Sequence, residues 1–507
     1  MEFSGSGLLT LTVFFPLIGA LILILFIRNV KVIPYFVVAI GMIELLLTGV
    51  VFFTYDLEGP RFQIIDKLDG WIPIDSFNIQ YFLGVDGLSL PLVLLAGILG
   101  LASIFASLGI KHRVREYFVW FFVLQTSVMG VFTALDFIVF FLFWELELVP
   151  MFFLISIWGS GRKEYSAMKF VIFTFLGSAF MLVGILAIFF STNTFDMTEL
   201  LLLLHTASLV MPAGLIFTLI FVAFAVKLPI WPLHTWLPDA HTDAPTAVSM
   251  MLAGVLLKMG GYGLIRISAG MFPGVMADVA WILVILGVIN VLYGAFITLR
   301  QTDLKRLIAF SSISHMGYVL IGISSVAGVA GTVSPIGLTG ASMQMFTHGT
   351  ITGLLFLVVG LIYQKTKTRY IPDLGGLAKN MPVITVVFLI AGLGSLGMPG
   401  TSGFISELLV FIGAFPVWSW ATALGAFGIV ITAGYILWMI QRTMFGIAKD
   451  HLRNISDANY IEMIPLFILT FAVVGVGVYP GVLTDVFAKG IDPIVQSFYD
   501  SLQLAQK

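Results

Sequence analysis

Leu219-Ile-Phe-Val-Ala-Phe-Ala-Val-Lys-Leu-Pro-Ile-Trp231 is an apolar, helix-like run that carries an ammonium group at Lys227 and a proline two residues later. A charge at bilayer depth is costly unless it is paired, hydrated or neutralised, so such residues mark ion or proton pathways. A second run, Met250-Met-Leu-Ala-Gly-Val-Leu-Leu-Lys-Met259, carries Lys258, and two further apolar runs carry Glu145 and Glu407. The fold that makes these charges tolerable is the first question.

Of 507 residues, 59% are hydrophobic and only 10% charged, against roughly 25% charged in soluble proteins. The apolar runs are long and do not alternate, which predicts helices and not a barrel. The fold class expected is therefore an all-α polytopic membrane protein. The start, Met-Glu-Phe, has no basic leader region, so the first apolar run is expected to stay as a helix. The chain has no cysteine, which excludes disulfides and Cys-ligated iron–sulfur clusters. Neither a Walker motif nor a G-x-G-x-x-G in a soluble α/β unit is present. The chain is expected to hold no cofactor, and no nucleic-acid partner is expected.

Hydropathy predicts about fourteen spans, near 8–27, 33–54, 86–109, 116–134, 137–158, 166–190, 213–231, 246–265, 275–298, 306–327, 340–363, 382–414, 419–441 and 461–483. With the N-terminus outside, eighteen of the 25 Lys and Arg, Arg453 among them, fall on the cytoplasmic side. Five, including Lys507, fall on the other, and Lys227 and Lys258 lie within spans. This asymmetry predicts both termini on the periplasmic side. The 55–85 loop, with Asp56, Glu58, Asp66, Asp69 and Asp75, is expected there as well, and 491–507 reads as a short amphipathic helix.

The seventh span contains Lys227-Leu-Pro-Ile-Trp-Pro and the twelfth Gly392-Leu-Gly-Ser-Leu-Gly-Met-Pro-Gly-Thr-Ser-Gly403. Pro229 and Pro232 leave the carbonyls of Ala225 and Leu228 without helical donors, and Pro399 does so to Ser395. Both spans should be broken. Matched broken helices, five spans apart, predict two inverted five-helix repeats with a site near the midplane. The expected units are 1–112 (three helices and a loop), 113–270 (helices four to eight), 271–445 (helices nine to thirteen) and 446–507 (helix fourteen and the amphipathic tail).

A buried carboxylate and a nearby ammonium form a switchable pair, because proton affinity depends on whether the partner is close. Glu145 with Lys227 is the predicted pair, whereas Glu147, two residues on, points to a different face and reads as structural. A desolvated lysine can release its proton, which makes Lys227 and Lys258 candidate carriers. The alternative for each is snorkelling to an interface, for which Lys258 is poorly placed. His234, His241, His315 and His348 lie in or beside apolar runs and could relay protons, or serve as polar core residues. His348 is the best relay candidate, bridging Lys258 toward Glu407. No His pair has the H-E-x-x-H spacing, and no metal is expected. Leu233 to Ala247 reads as a polar helix break at an aqueous mouth.

Several motifs carry a family resemblance. Phe143-Trp-Glu-Leu-Glu-Leu-Val-Pro150, Ala225-Val-Lys-Leu-Pro229, Pro232-Leu-His-Thr-Trp-Leu-Pro-Asp-Ala-His241, Leu256-Leu-Lys-Met-Gly-Gly-Tyr-Gly263, Asp303-Leu-Lys-Arg-Leu-Ile-Ala-Phe-Ser-Ser-Ile-Ser-His-Met-Gly317 and Leu83-Gly-Val-Asp-Gly-Leu-Ser-Leu90 resemble the antiporter-like subunits of respiratory complex I. The same core occurs in multisubunit sodium/proton antiporters and membrane-bound hydrogenases. The resemblance spans nearly the whole chain. Glu407, where the L and N types have lysine, makes it most similar to M-type (chain 4) members; the L type's long lateral helix has no counterpart here. The photosynthetic, ferredoxin-using D type shares the Glu-Leu-Glu-Leu and Leu-Pro-x-x-Pro-Leu-His motifs.

The resemblance implies a proton channel: Glu145 and Lys227 as a coupled pair, Lys258 as central carrier, His348 as relay and Glu407 toward the exit, with His315 on the polar axis. It implies partner membrane subunits of L and N type. NADH, FMN, iron–sulfur clusters and quinone would be held by partner subunits. It also implies a bacterial inner membrane, or a thylakoid or other energy-coupling membrane. The alternatives are a subunit of a sodium/proton antiporter or of a ferredoxin-using complex, and a structural scaffold, in which intramembrane charges would have no use.

Overall fold

The long apolar runs dictate the elements. In the computed structural model, which describes residues 3–74, 77–204, 207–328, 332–452 and 454–505, they form helices separated by short polar connections. Asp75, Arg453 and Lys507, used above in reading the loops, lie outside the described residues. Twelve of the described helical segments, counting 137–158 and 246–269 as one each, are long and apolar enough to cross a membrane; Ala213–Lys227, Pro382–Ser395 and Ser402–Ala414 are further, shorter apolar helices.

The chain starts with strand β1 (Phe3–Gly5), then helices α1 (Leu8–Leu25) and α2 (Ile33–Thr54). The 55–85 segment, read as a loop, forms β2 (Gln63–Ile74) and β3 (Phe77–Val85), giving an antiparallel sheet in the order β1-β2-β3. Gly5 pairs with Asp66, whose buried carboxylate accepts from the backbone N–H of Gly7 at 2.7 Å and of Thr10 at 2.8 Å. Asp66 thus ties the start of α1 to the sheet, a role that loop composition does not reveal.

Then come α3 (Leu90–Ser107), α4 (Val114–Thr133), α5 (Phe137–Leu146), α6 (Leu148–Trp158), α7 (Lys163–Thr192) and α8 (Met197–Leu203). Aspartates at the N-termini set these boundaries: Asp136 accepts from the N–H of Ile138 and Val139, and Asp196 from those of Thr198 and Glu199. The predicted span 137–158 is α5 and α6 in succession, joined at Glu147, whose backbone is itself helical (φ −65°, ψ −26°).

The seventh span is α9 (Ala213–Lys227), a turn, and α10 (Trp236–Asp243). Pro229 and Pro232 have no N–H to continue the ladder. The Ala225 carbonyl, expected to be stranded, accepts from Ile230 N–H at 2.9 Å, and Val226 O accepts from Trp236 Nε1 at 2.9 Å. Asn290 braces the turn, donating to Pro229 O and accepting from Trp231 N–H.

Next are α11 (Thr246–Met251) and α12 (Leu257–Gly263), joined by a π-helical stretch at 252–256 and followed by another at 264–269; α13 (Pro273–Thr298), α14 (Leu304–Ser324) and α15 (Pro335–Thr366) follow. The twelfth span is α16 (Pro382–Ser395) and α17 (Ser402–Ala414), separated at Gly397 and Gly400, whose φ values are +73° and +90°. At Gly397 a β-carbon would also collide with the Glu407 carboxyl. The chain closes with α18 (Ser419–Met444), α19 (Tyr460–Val478) and α20 (Gly481–Ala505), so the terminal helix begins ten residues before the predicted amphipathic segment.

Burial ranks the helices. The spans 246–269, 304–324 and 335–366 are buried along their full hydrophobic windows, whereas α1, α2 and α19 are mostly open on one side. The innermost three carry Lys258, His315 and His348. Gly87, just before α3, sits directly on Gly490 of α20. The terminal helix, the sheet and the start of α1 therefore share one end of the bundle.

Candidate functional site

Lys227 is the last residue of α9, where the helix stops for Pro229. Its Nζ contacts Glu147 Oε1, with the two side chains 1% and 0% exposed. The ammonium also lies 4.8 Å from the ring of Trp144, whose Nε1 donates to Ser178 Oγ at 3.1 Å. The sequence reading paired Lys227 with Glu145; the contact partner is Glu147. The reason is helical geometry. Phe143, Trp144, Glu147 and Leu148 form the buried side at the α5–α6 turn, whereas Glu145 shares its face with Leu142 and Val149, which are 45% and 47% exposed. Glu145 lies near Ser178 and within electrostatic reach of Lys227, and its Oε1 has no hydrogen-bond partner.

Lys258 opens the next stage. It stands in the first turn of α12, between the two π-helical stretches. A π turn detaches a carbonyl from regular pairing and recurs at functional sites. Here Lys258 Nζ contacts the Ala253 carbonyl of its own helix and lies 2.7 Å from His348 Nδ1. Its side chain is fully buried.

His348 and His315 rings are 5.5 Å apart, centre to centre. His315 Nδ1 is 3.5 Å from Glu407 Oε1, and its Nε2 is 3.0 Å from Ser395 Oγ at the twelfth-span break. Around them, Ser406 Oγ donates to Gln344 Oε1 at 2.5 Å and lies 2.8 Å from Thr347 Oγ1. A cavity of about 10 Å³ lies among His315, Gln344, Thr347, His348, Ser395 and Glu407, room for about one water. His348 Nε2 and Glu407 Oε2 have no hydrogen-bond partner. Lys258, His348, His315 and Glu407 thus form one run, with His315 in the position between His348 and Glu407 that the sequence reading left to His348 alone.

His241, on α10, is fully buried and stacks on Phe356 at 4.8 Å; neither ring nitrogen is bonded. Its charged neighbours are Lys305 and Lys258. His234 Nε2 lies 3.1 Å from Tyr293 Oη. The 233–247 segment is closed at its surface by Asp239, which accepts from Lys169 Nζ at 2.7 Å, and by Asp243, which accepts from Ser166 Oγ at 2.6 Å. The Lys227 and Lys258 helices meet through backbone: Gly260 lies against Phe224 O and Leu228 N.

A separate ionic cluster sits at the end of the bundle that carries the sheet. In the turn before α3, Asp86 accepts from Leu88 and Ser89 N–H, and it also receives both Arg266 Nη groups, one at 2.5 Å. Arg61 Nε is 3.8 Å away. Burial works to raise the Asp86 carboxyl, but the charge and hydrogen bonds of Arg266 outweigh it and hold the group below the usual carboxylate range. Burial first, and then Arg266, push the Arg61 guanidinium down to about 10.

Residues 134–432 match the family model for the transmembrane NADH:quinone oxidoreductase/Mrp antiporter proteins. The chain belongs to this family. It is 37% identical over 499 residues to the NADH-quinone oxidoreductase subunit M of Rickettsia conorii, covering 97% of this chain and 99% of that one. It is 39% identical over 505 residues to NAD(P)H-quinone oxidoreductase chain 4 2 of Thermosynechococcus vestitus, covering 97% and 93%. Among solved structures, a chain of respiratory complex I from Thermus thermophilus with bound NADH superposes with a TM-score of 0.85 at 27% identity, covering 97% of this chain and 98% of that one.

Proposed function

We propose that the run Lys258–His348–His315–Glu407, fed by the Lys227 pair, is the proton path of a proton-translocating membrane subunit of NADH:quinone oxidoreductase. The chain's place in that translocase rests on its full-length relatives. The observation that carries the path is the 2.7 Å contact of Lys258 with His348, continued through His315 to Glu407 across fully buried helices.

The chemistry follows from the partners. An ammonium at Lys258 faces a carbonyl and an imidazole nitrogen, neither of which offsets its charge as a carboxylate would. It therefore holds a proton only while the surroundings favour it. Imidazole accepts at one nitrogen and releases from the other, which makes His348 and His315 carriers in either direction. Glu407 receives the charge at the broken helix. At the other end, Lys227 stands between Glu147 in contact and Glu145 within reach. A shift that moves Lys227 between the carboxyls changes the field at Lys258. Electron transfer in partner subunits would supply that shift as a change of conformation or charge.

We read the interrupted pairs 213–227/236–243 and 382–395/402–414 as one broken span each, which makes the expected number fourteen. The units 113–270 and 271–445 are read as inverted repeats, each with one broken helix. L-type and N-type subunits are the expected neighbours, and NADH, FMN, iron–sulfur clusters and quinone belong to other subunits. The expected membrane is the bacterial inner membrane, with the sheet and both termini periplasmic.

The test is Lys258→Met in the assembled complex. It interrupts the run without leaving a charge behind. Proton uptake by inverted vesicles is expected to fall to background from this subunit, with the complex still assembled. Unchanged proton-per-electron stoichiometry would remove Lys258 from the path.

A further inference from the structure

Glu44 lies at the middle of α2, on the stripe Val37, Gly41, Glu44, Thr48 and Val51 that is buried. Its side chain is fully buried, and neither carboxyl oxygen has a hydrogen-bond partner. The register around it is fixed by its neighbours: Gly41 packs on Leu101 and Ile104 of α3, and Thr48 packs on Gly97. Glu44 therefore stands level with Gly100. From α4, Gln125 lies against that same Gly100. Gln125 Oε1 and Nε2, Ser103 Oγ on α3 and Thr126 Oγ1 on α4 are also buried without partners. Three helices thus bring polar side chains to one level in a part of the bundle where the surroundings are otherwise apolar.

The charge around this level decides what the carboxyl does. The helices packed against α2 are α3, α1 and α4. Neither α1 nor α3 contains a titratable residue, and α4 has only Arg115, Glu116 and Tyr117, all in its first turn. Tyr117 bonds Ser107 at 2.9 Å, two turns along α3 from Gly100. An ionised Glu44 would be a bare charge at the centre of a span, the situation membrane proteins avoid most strictly. A protonated acid is neutral, with one O–H donor and a carbonyl acceptor, and the Gln125 amide at the same level carries the complementary groups, with no hydrogen bond joining the two side chains.

We infer that Glu44 is a proton-binding site apart from the Lys258 axis, its carboxyl holding a proton at neutral pH at the membrane level of the Gln125 amide. The site lies outside residues 134–432, and its occupancy does not depend on the path proposed above.

The test is infrared difference spectroscopy of the purified whole complex, wild type against Glu44→Gln, at neutral pH in water and heavy water. The variant is expected to assemble, to pump at the wild-type rate, and to lack one protonated-acid carbonyl band that shifts in heavy water. Loss of an ionised carboxylate band instead would overturn the proposal. So would a Glu44 band that moves when sodium replaces potassium in the buffer, which would make this a cation site. Should Glu44→Gln fail to accumulate, Glu44→Leu gives the same spectral reading. If neither neutral variant accumulates, Glu44 is needed as a charge and the proposal falls. Normal pumping by Glu44→Gln and lost pumping by Lys258→Met are independent outcomes, so each reading fails separately.

Discussion

At Asp86 both carboxylate oxygens are engaged, by two backbone N–H groups and by both ends of the Arg266 guanidinium. Along the axis, by contrast, Glu147 and Glu407 each keep one oxygen without a partner, as does one nitrogen of His348 and both of His241. Both regions bury charge, and they bury it under different rules. A group that must stay ionised is surrounded until nothing is left to satisfy. A group that must gain and lose a proton keeps a free position for it. The choice of base follows the same rule: arginine cannot be deprotonated in proteins, whereas a buried lysine titrates readily.

The most severe break of this contrast is Asp86→Asn. It leaves Arg266 buried, charged and without its carboxylate, a loss of about 3–5 kcal/mol. The expected outcome is a subunit missing from the membrane-extracted complex, read by immunoblot and by native gel. Because the native Asp86 carboxyl is held low, the contribution is complete above the unfolded carboxylate value of about 3.9. It is lost only as pH falls through the lower native value. Assembly of the unaltered protein should therefore be flat from about pH 8 to about pH 5; a loss within that range would assign the carboxyl a normal affinity and remove the contrast.

How far these two regions were legible in the sequence differs for a physical reason. Hydropathy placed the spans because length and apolarity fix them locally, and the breaks at Pro229 and Gly397 were legible because proline and glycine act on their own backbone. Lys258 and His348 could be placed within their spans, but their contact comes from the packing of α12 on α15. The choice of Glu147 over Glu145 follows from which helix face is buried; the spacing of Glu147 three residues after Trp144 and four after Phe143 was the available signal. Arg266 is 180 residues from Asp86 in sequence, and the two meet with Arg61 only through the fold. The hairpin of β2 and β3 escaped because a polar, acidic stretch between spans gives no apolar period to read.

A middle-sized effect sharpens the axis side of the comparison. Glu147→Gln removes the contact partner of Lys227, yet Lys227 can shed its proton and Glu145 remains within reach. Assembly should survive, unlike Asp86→Asn. Proton pumping should fall more than in Glu145→Gln, by about tenfold, the equivalent of about 1.4 kcal/mol in a barrier. Proton uptake normalised to quinone reduction in the two variants decides this. A larger loss in Glu145→Gln would return the leading role to Glu145 and make Glu147 the structural anchor.

The smallest effect tests whether the ionic cluster is as complete as its geometry says. Arg61 approaches Asp86 at 3.8 Å, with 23% of its side chain exposed. It stands beside Arg266, so its weak attraction to the carboxylate is set against repulsion from a second guanidinium. Two of its nitrogens have no partner. Removing the charge with Arg61→Gln forfeits a partly exposed contact, of the kind worth about 0–1 kcal/mol, and relieves the repulsion. The expected result is a complex that assembles normally, with a thermal-inactivation midpoint close to that of the wild type. If Arg61→Gln instead destabilises as strongly as Asp86→Asn, then Asp86 is not satisfied by Arg266 alone. The cluster would then belong with the incompletely satisfied groups of the axis, and partner satisfaction would no longer separate fixed charges from moving ones.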